Sequence, residues 1–190
     1  MKSNTTSHNA VRSLVEGAIL VAMSEVLGYL KLGHLPNGGS ISLMMLPLIV
    51  YALRWGLGRG LLAGFALGCL DFMLGGGIAI GWQSILGDYV IALTLLGLAG
   101  VGRGKGIAGL VGGTLLGCAG RFASIWVTGA TLWGEYMPEE FLGLPMTNEW
   151  VYSLLYQCVT ILPSAAATLV VLLLLCRGSA RAFLLGEDLK

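Results

Sequence analysis

Charge is what this sequence has least of. Only 11% of its 190 residues are Asp, Glu, Lys or Arg, against about 25% in an ordinary soluble domain. Basic and acidic side chains nearly cancel, leaving a net charge of +1, so there is no long-range field to gather nucleic acid or an acidic partner. Histidine is almost absent: His8 lies in the N-terminal tail and His34 in the first loop, which leaves no pair on one helix face to hold zinc. The four cysteines, Cys69, Cys118, Cys158 and Cys176, stand singly inside apolar runs. They have neither metal-ligand spacing nor the pattern of a disulfide framework, and read as small apolar residues. A phosphate-binding loop is also missing, because the one Gly-Lys pair, Gly104-Lys105, has Ala99 where the first glycine belongs and Gly106 where Ser or Thr should follow. No nucleophile elbow or carboxylate cluster for metal-assisted phosphoryl transfer replaces it. An enzyme is disfavoured, no cofactor is implied, and energy for any transport has to come from elsewhere.

What is abundant is apolar surface. Hydrophobic residues make up 56% of the chain and the mean hydropathy is +0.83. A chain this small has too little interior to hide that much from water, so lipid is its solvent. Met1–Ala10 is polar and the run after it carries Glu16 and Glu25, with no small-residue cleavage site, which is not the pattern of a signal peptide.

A bilayer core takes about 20 apolar residues per helix. The runs between breaks predict an all-α integral membrane protein of one domain, 1–190, with six spans near 11–30, 40–53, 60–74, 82–100, 107–132 and 150–176. The second and third are short, and must thin the bilayer, tilt little or pack inside the bundle. With six spans, Lys2, Arg12, Arg54, Arg59, Arg103, Lys105, Arg177, Arg181 and Lys190 fall on one side, while Lys31 and then Glu135, Glu139, Glu140 and Glu149 fall on the other. The positive-inside rule then puts both termini in the cytoplasm.

Glycine is patterned as well as frequent. Gly60, Gly64 and Gly68 recur every fourth residue in the third run, as do Gly109, Gly113 and Gly117 in the fifth. Such stripes let helices approach closely in lipid, and predict intramolecular packing. Ala18 and Ala22 make a similar stripe on the first run, equally suited to a contact with another protein. Pro163 is expected to kink the last helix.

Ionisable residues inside a membrane are costly and mark function. Asp71, Asp88 and Arg121 fall in the outer half of the bilayer, with Trp82, Gln83, Tyr89, Trp126, Trp133, Tyr136, Tyr152, Tyr156 and Gln157. An interfacial aromatic belt accounts for Trp82, Trp150 and Tyr136. A carboxylate two turns deep needs more. Either Asp88 pairs with Arg121 and holds helices together, or Asp88 lines an aromatic pocket open to the outside that awaits a cation or a hydrogen-bond donor.

Several stretches carry a family resemblance: the opening LVEGAILVAM, the long GGSISLMMLPLIVYALRWGLGRGLLAG, then GDYVIAL, TGATLWGEY and YSLLYQ. Over nearly its whole length the chain resembles the substrate-binding S components of energy-coupling factor vitamin transporters, within them the thiamine-specific ThiT (YuaJ) family. The resemblance implies a six-helix bundle in the bacterial plasma membrane and an outward-facing site for thiamine. It also implies partnership with a shared membrane subunit and two cytoplasmic ATPases. Ala18 and Ala22 match the small-residue face through which S components dock. The ligand-contact positions of the family fall on Asp88, Tyr89, Trp133, Tyr152 and Gln157. Asp88 stands where the family has Glu, Gln157 where it has Asn, and Ile125 where it has His; Asp71 adds a carboxylate near the site. Thiamine suits these residues, since its thiazolium is a permanent cation and its aminopyrimidine carries a donor and acceptors. Another vitamin or precursor, such as pyridoxine or a thiamine precursor, is the alternative ligand, and a structural membrane protein with an Asp88–Arg121 pair is the alternative outside transport.

Overall fold

Glycine decides how closely the helices of this chain approach. The computed structural model describes residues 3–31, 33–34, 40–74, 79–178 and 180–189. Lys2 and Lys190, and the Gly38-Gly39 pair that opens the longest quoted stretch, lie outside them. The described residues form helices α1 (Ser3–Tyr29), α2 (Met45–Trp55), α3 (Leu57–Leu74), α4 (Trp82–Gly102), α5 (Gly106–Thr131), α6 (Glu149–Arg177) and a short α7 (Arg181–Leu184). Helices α3 to α6 are each long and apolar enough to cross a bilayer. Helix α6 remains helical through Pro163.

Two antiparallel hairpins join them. Strands β1 (Gly33–His34) and β2 (Ser40–Ile41) follow α1, with Gly33 opposite Ile41. Strands β3 (Glu140–Phe141) and β4 (Leu144–Pro145) lie between α5 and α6, with Phe141 opposite Leu144. Their two-residue turn, Leu142-Gly143, has positive φ at both positions, the combination that matches the twist of a tight hairpin. Phe141 is thereby laid on Tyr152 and Tyr156 of α6, at centroid separations of 5.4 and 5.9 Å.

The short second run is explained by burial. Every residue of α2 except Leu46 is buried, so this helix packs inside the bundle, one of the three options open to a run of that length. The helix begins at Met45 because Ser40–Ile41 is drawn into β2. Its end corrects the expected loop between the second and third spans. Arg54 lies within α2, a single residue, Gly56, separates α2 from α3, and its φ of +92° is one that only glycine adopts without strain.

Both glycine stripes pack against the same helix. A Cβ on Gly60, Gly64 or Gly68 of α3 would come within 2.8 Å of the carbonyl oxygens of Gly97, Leu93 and Tyr89, respectively, on α4. On its other side, a Cβ on Gly113 or Gly117 of α5 would sit 2.4 Å from Ala99 O and 2.5 Å from Leu96 O. Helix α4 is therefore clasped between α3 and α5 at backbone contact. The clasp fixes where the first turns of α4 sit.

At the end of the bundle where α2 and α4 finish, a dense ion cluster holds the chain's C-terminal segment. Arg54, fully buried, donates from Nε and Nη2 to Glu16 of α1 at 2.6 and 3.1 Å, and from Nη1 and Nη2 to Asp188 at 2.5 and 2.8 Å. Its fifth N–H reaches the carbonyl of Phe183 at 2.8 Å, while the Phe183 ring lies 4.1 Å from the guanidinium. Arg12 adds bonds to Glu16 and Asp188, and Trp55 Nε1 one to Glu16. Arg54, which the expected spans leave in a loop, instead pairs with Glu16 inside the bundle, because a buried charge needs a partner. The Asp188 carboxyl is held below the usual carboxylate range, chiefly by its hydrogen bonds from Arg54.

Candidate functional site

At the opposite end, α4 is not a uniform α-helix. Residues Ile85–Ile91 form a π-helix of seven residues, a conformation that is rare and clusters at functional sites. Asp88 and Tyr89 both lie in it, and they turn to different neighbours. The Tyr89 ring meets Phe72 of α3 edge-on at 5.5 Å, whereas Asp88 faces α5.

The carboxylate of Asp88 is held by three side chains. Ser84, one turn earlier, donates to Oδ2 at 2.7 Å. Trp133, just beyond α5, donates its indole Nε1–H to the same oxygen at 2.8 Å. Thr128 of α5 donates to Oδ1. Hydroxyl and indole donors to a carboxylate are charge-assisted bonds, shorter and stronger than neutral ones. They bring α4, α5 and the α5 exit onto one group at the end of the bundle opposite Arg54.

Aromatic side chains group on α5, α6 and the segment between them. Trp133 packs at 5.8 Å from Tyr136. Tyr152, at 5.8 Å from Tyr156, is covered by Phe141. Trp126 lies edge-on to Trp150 at 5.6 Å and donates to its carbonyl. Gln157 is buried on α6, where its Oε1 accepts from Thr160 at 3.3 Å, and its Nε2 lies 3.7 Å from where a Cβ on Gly129 of α5 would be. Ile125 is half-buried on α5, one turn before Thr128 and Gly129.

Arg121 is not the partner of Asp88. Its electrostatic partner is Asp71 on α3, which also feels Lys31 and, from α1, Glu25. The structural alternative that joined Asp88 to Arg121 is thus replaced by two separate sets, Asp88 with hydroxyl and indole donors, and Asp71 with Arg121 farther into α5. Within the described residues, Nε of Arg121 and Oε2 of Glu25 have no hydrogen-bond partner.

Reading the sequence singled out Asp88 and Trp133 and missed Thr128, Ser84 and Ser124. Ser84 and Asp88 are four residues apart, a spacing that puts a hydroxyl and a carboxylate on one helix face; that signal was available. Thr128 carried none, because a threonine in an apolar helix ordinarily bonds the carbonyl one turn back, as Thr94 and Thr131 do here.

Residues 14–184 match the model of a family described as thiamine transporter protein. The chain is 30% identical over 176 residues to the thiamine transporter ThiT of Bacillus subtilis strain 168, an alignment covering 85% of this chain and 88% of that one. It is 31% identical over 186 residues to the thiamine transporter ThiT of Lacticaseibacillus paracasei, covering 86% of each. Among solved structures, ThiT from Listeria monocytogenes superposes with a TM-score of 0.81 at 24% identity, over 92% of this chain and 98% of that one, which shows a shared fold.

Proposed function

The chain belongs to the thiamine transporter protein family, and from that membership we propose that it captures thiamine outside the cell at the Asp88–Trp133 site and delivers it inward as an S component of an energy-coupling factor importer. It is a multi-pass bacterial membrane protein and a transport protein rather than an enzyme. The observation that carries the reading of the site is the direct bond between Asp88 and Trp133. It sets a carboxylate at the edge of an indole ring, and a carboxylate and an aromatic face are the two groups that a permanent cation such as a thiazolium seeks.

On this reading six helices cross the membrane, with both ends in the cytoplasm. The basic residues gathered at the Arg54 end support it, with Arg12 bonded to Glu16, Arg59 over the Trp55 ring and Arg103 bonded to the Trp55 carbonyl. Tyr89, Tyr152, Gln157 and Ile125 complete the pocket around Asp88 and Trp133, with Asp71 and Arg121 beneath it. Energy comes from a shared membrane subunit and its two ATPases. Ala18 and Ala22 are exposed on α1 among Leu14, Val15, Ile19 and Met23, and form the face that meets that subunit. The test is calorimetric titration of the detergent-purified protein with thiamine, pyridoxine, riboflavin and biotin. Saturable binding of thiamine alone supports the proposal; binding of another vitamin and not thiamine reassigns the ligand.

A further inference from the structure

Three observations converge on Thr128. Its hydroxyl bonds Asp88 Oδ1. Its methyl lies against Gly87 so closely that a Cβ there would fall 2.0 Å from Thr128 Cγ2, so the approach that makes the bond exists only with glycine before Asp88. One turn earlier on the same face of α5, Ser124 Oγ donates to the carbonyl of Gly87 at 2.7 Å, pinning the π-helix that carries Asp88.

We infer that Thr128 is a specificity-determining positioning residue: it draws the short Asp88 carboxylate toward α5 and sets the depth at which a ligand's positive charge is met, while Ser124 holds the π segment in register. The inference rests on the cation-binding reading of the site given above. An aspartate reaches about 1.5 Å less far from the backbone than a glutamate, one carbon–carbon bond. With Oδ1 tied to Thr128 and Oδ2 to Ser84, the carboxylate has one orientation, and the site is ordered before ligand arrives. A longer acid at position 88 would drive its carboxylate into Thr128. Residues 88 and 128 are therefore a matched pair, in which lengthening one side chain requires shortening the other.

The experiment is a double-mutant cycle read by thiamine calorimetry, with ligand-free melting curves as the folding control. Asp88→Glu and Thr128→Ala should each weaken thiamine about tenfold or more, the scale of one bond to a charged group. The Asp88→Glu/Thr128→Ala protein should recover most of that affinity, and Thr128→Ser should bind like the wild type, results that a merely structural role would not give. If Thr128→Ala does not fold, Thr128→Val keeps the shape, deletes only the hydroxyl, and should show the same loss. Additive losses in the double variant, or wild-type affinity in Thr128→Ala or Thr128→Val, would overturn the inference while leaving the proposed function standing. A wild-type protein that does not bind thiamine overturns both.

Discussion

Arg54 and Asp188, 134 residues apart in the chain, meet through two parallel hydrogen bonds, Nη1 to Oδ1 at 2.5 Å and Nη2 to Oδ2 at 2.8 Å. The same guanidinium spans Glu16, so one side chain ties α1, α2 and the C-terminal segment together. Asp188 lies past residue 184, where the family match ends, whereas Glu16 and Arg54 lie within it.

Replacing Arg54 with Ala should be destabilising, because it removes the buried half of the cation pair that Glu16 and Asp188 share and leaves them to the half-exposed Arg12. Removing one member of a fully buried pair costs about 3–5 kcal/mol, and the loss here should be smaller because the Glu16 and Asp188 side chains are 17% and 35% exposed. Arg54→Lys should recover little, since a single ammonium cannot serve two carboxylates and a carbonyl in fork geometry. Thermal melts in detergent decide it, and an Arg54→Ala protein that melts with the wild type would remove the cluster as a stabilising element.

The docking of the C-terminal segment should have a defined pH dependence. Arg54 holds the folded pKa of Asp188 below its unfolded value. A depressed acid contributes stability that is complete above the unfolded pKa, near 3.9, and is lost as pH falls from there toward the folded pKa. Amide exchange of residues 181–189 should stay protected, after correction for intrinsic rates, from neutral pH down to about pH 5, and protection should erode only below about pH 4. Release of the segment between pH 7 and pH 5 would mean that another group controls it.

Adjacent glycines on α5 should behave oppositely. A Cβ on Gly113 meets Ala99 O at 2.4 Å, whereas one on Gly112 meets nothing within 4 Å. Gly113→Ala should therefore cost about 1–3 kcal/mol through forced separation of α4 and α5. Gly112→Ala should be neutral or slightly stabilising, because alanine is the better helix former. Equal melting temperatures for the two variants would contradict the backbone contact on which the placement of α4 depends.

These contrasts bear on what the sequence could disclose. The stripes were legible because spacing by four is a property of one helix, but that both face α4 is a relation among three. Asp88 was legible because a carboxylate in an apolar run has no cheap explanation. Its partner Thr128 was not, since hydroxyls in such helices usually serve their own backbone. Arg54 read as a loop charge because a Trp-Gly step and a second arginine follow it. Only the buried α2 and the distant Asp188 make it an interior residue.

Trp133 offers the sharpest separation of two contributions at the candidate site, its ring face and its N–H. Trp133→Ala removes both, and should weaken thiamine by at least about thirtyfold if the ring supports a cation in a desolvated pocket, a contribution of about 2 kcal/mol or more. Trp133→Phe keeps a smaller aromatic face and deletes the donor to Asp88 Oδ2. That donor occupies a carboxylate oxygen in the ligand-free protein, and the bond has to be given up or shared when a ligand presents its own donor there. Losing it should cost the ligand little, and Trp133→Phe should bind within about threefold of the wild type, less than 1 kcal/mol. Calorimetry is the appropriate readout, since deleting a tryptophan alters any fluorescence signal by itself. If Phe proves as damaging as Ala, the indole N–H rather than the ring is what the ligand needs, and Trp133 acts by orienting Asp88. If neither change alters affinity, Trp133 lies outside the site and the pocket has to be sought around Tyr152 and Gln157.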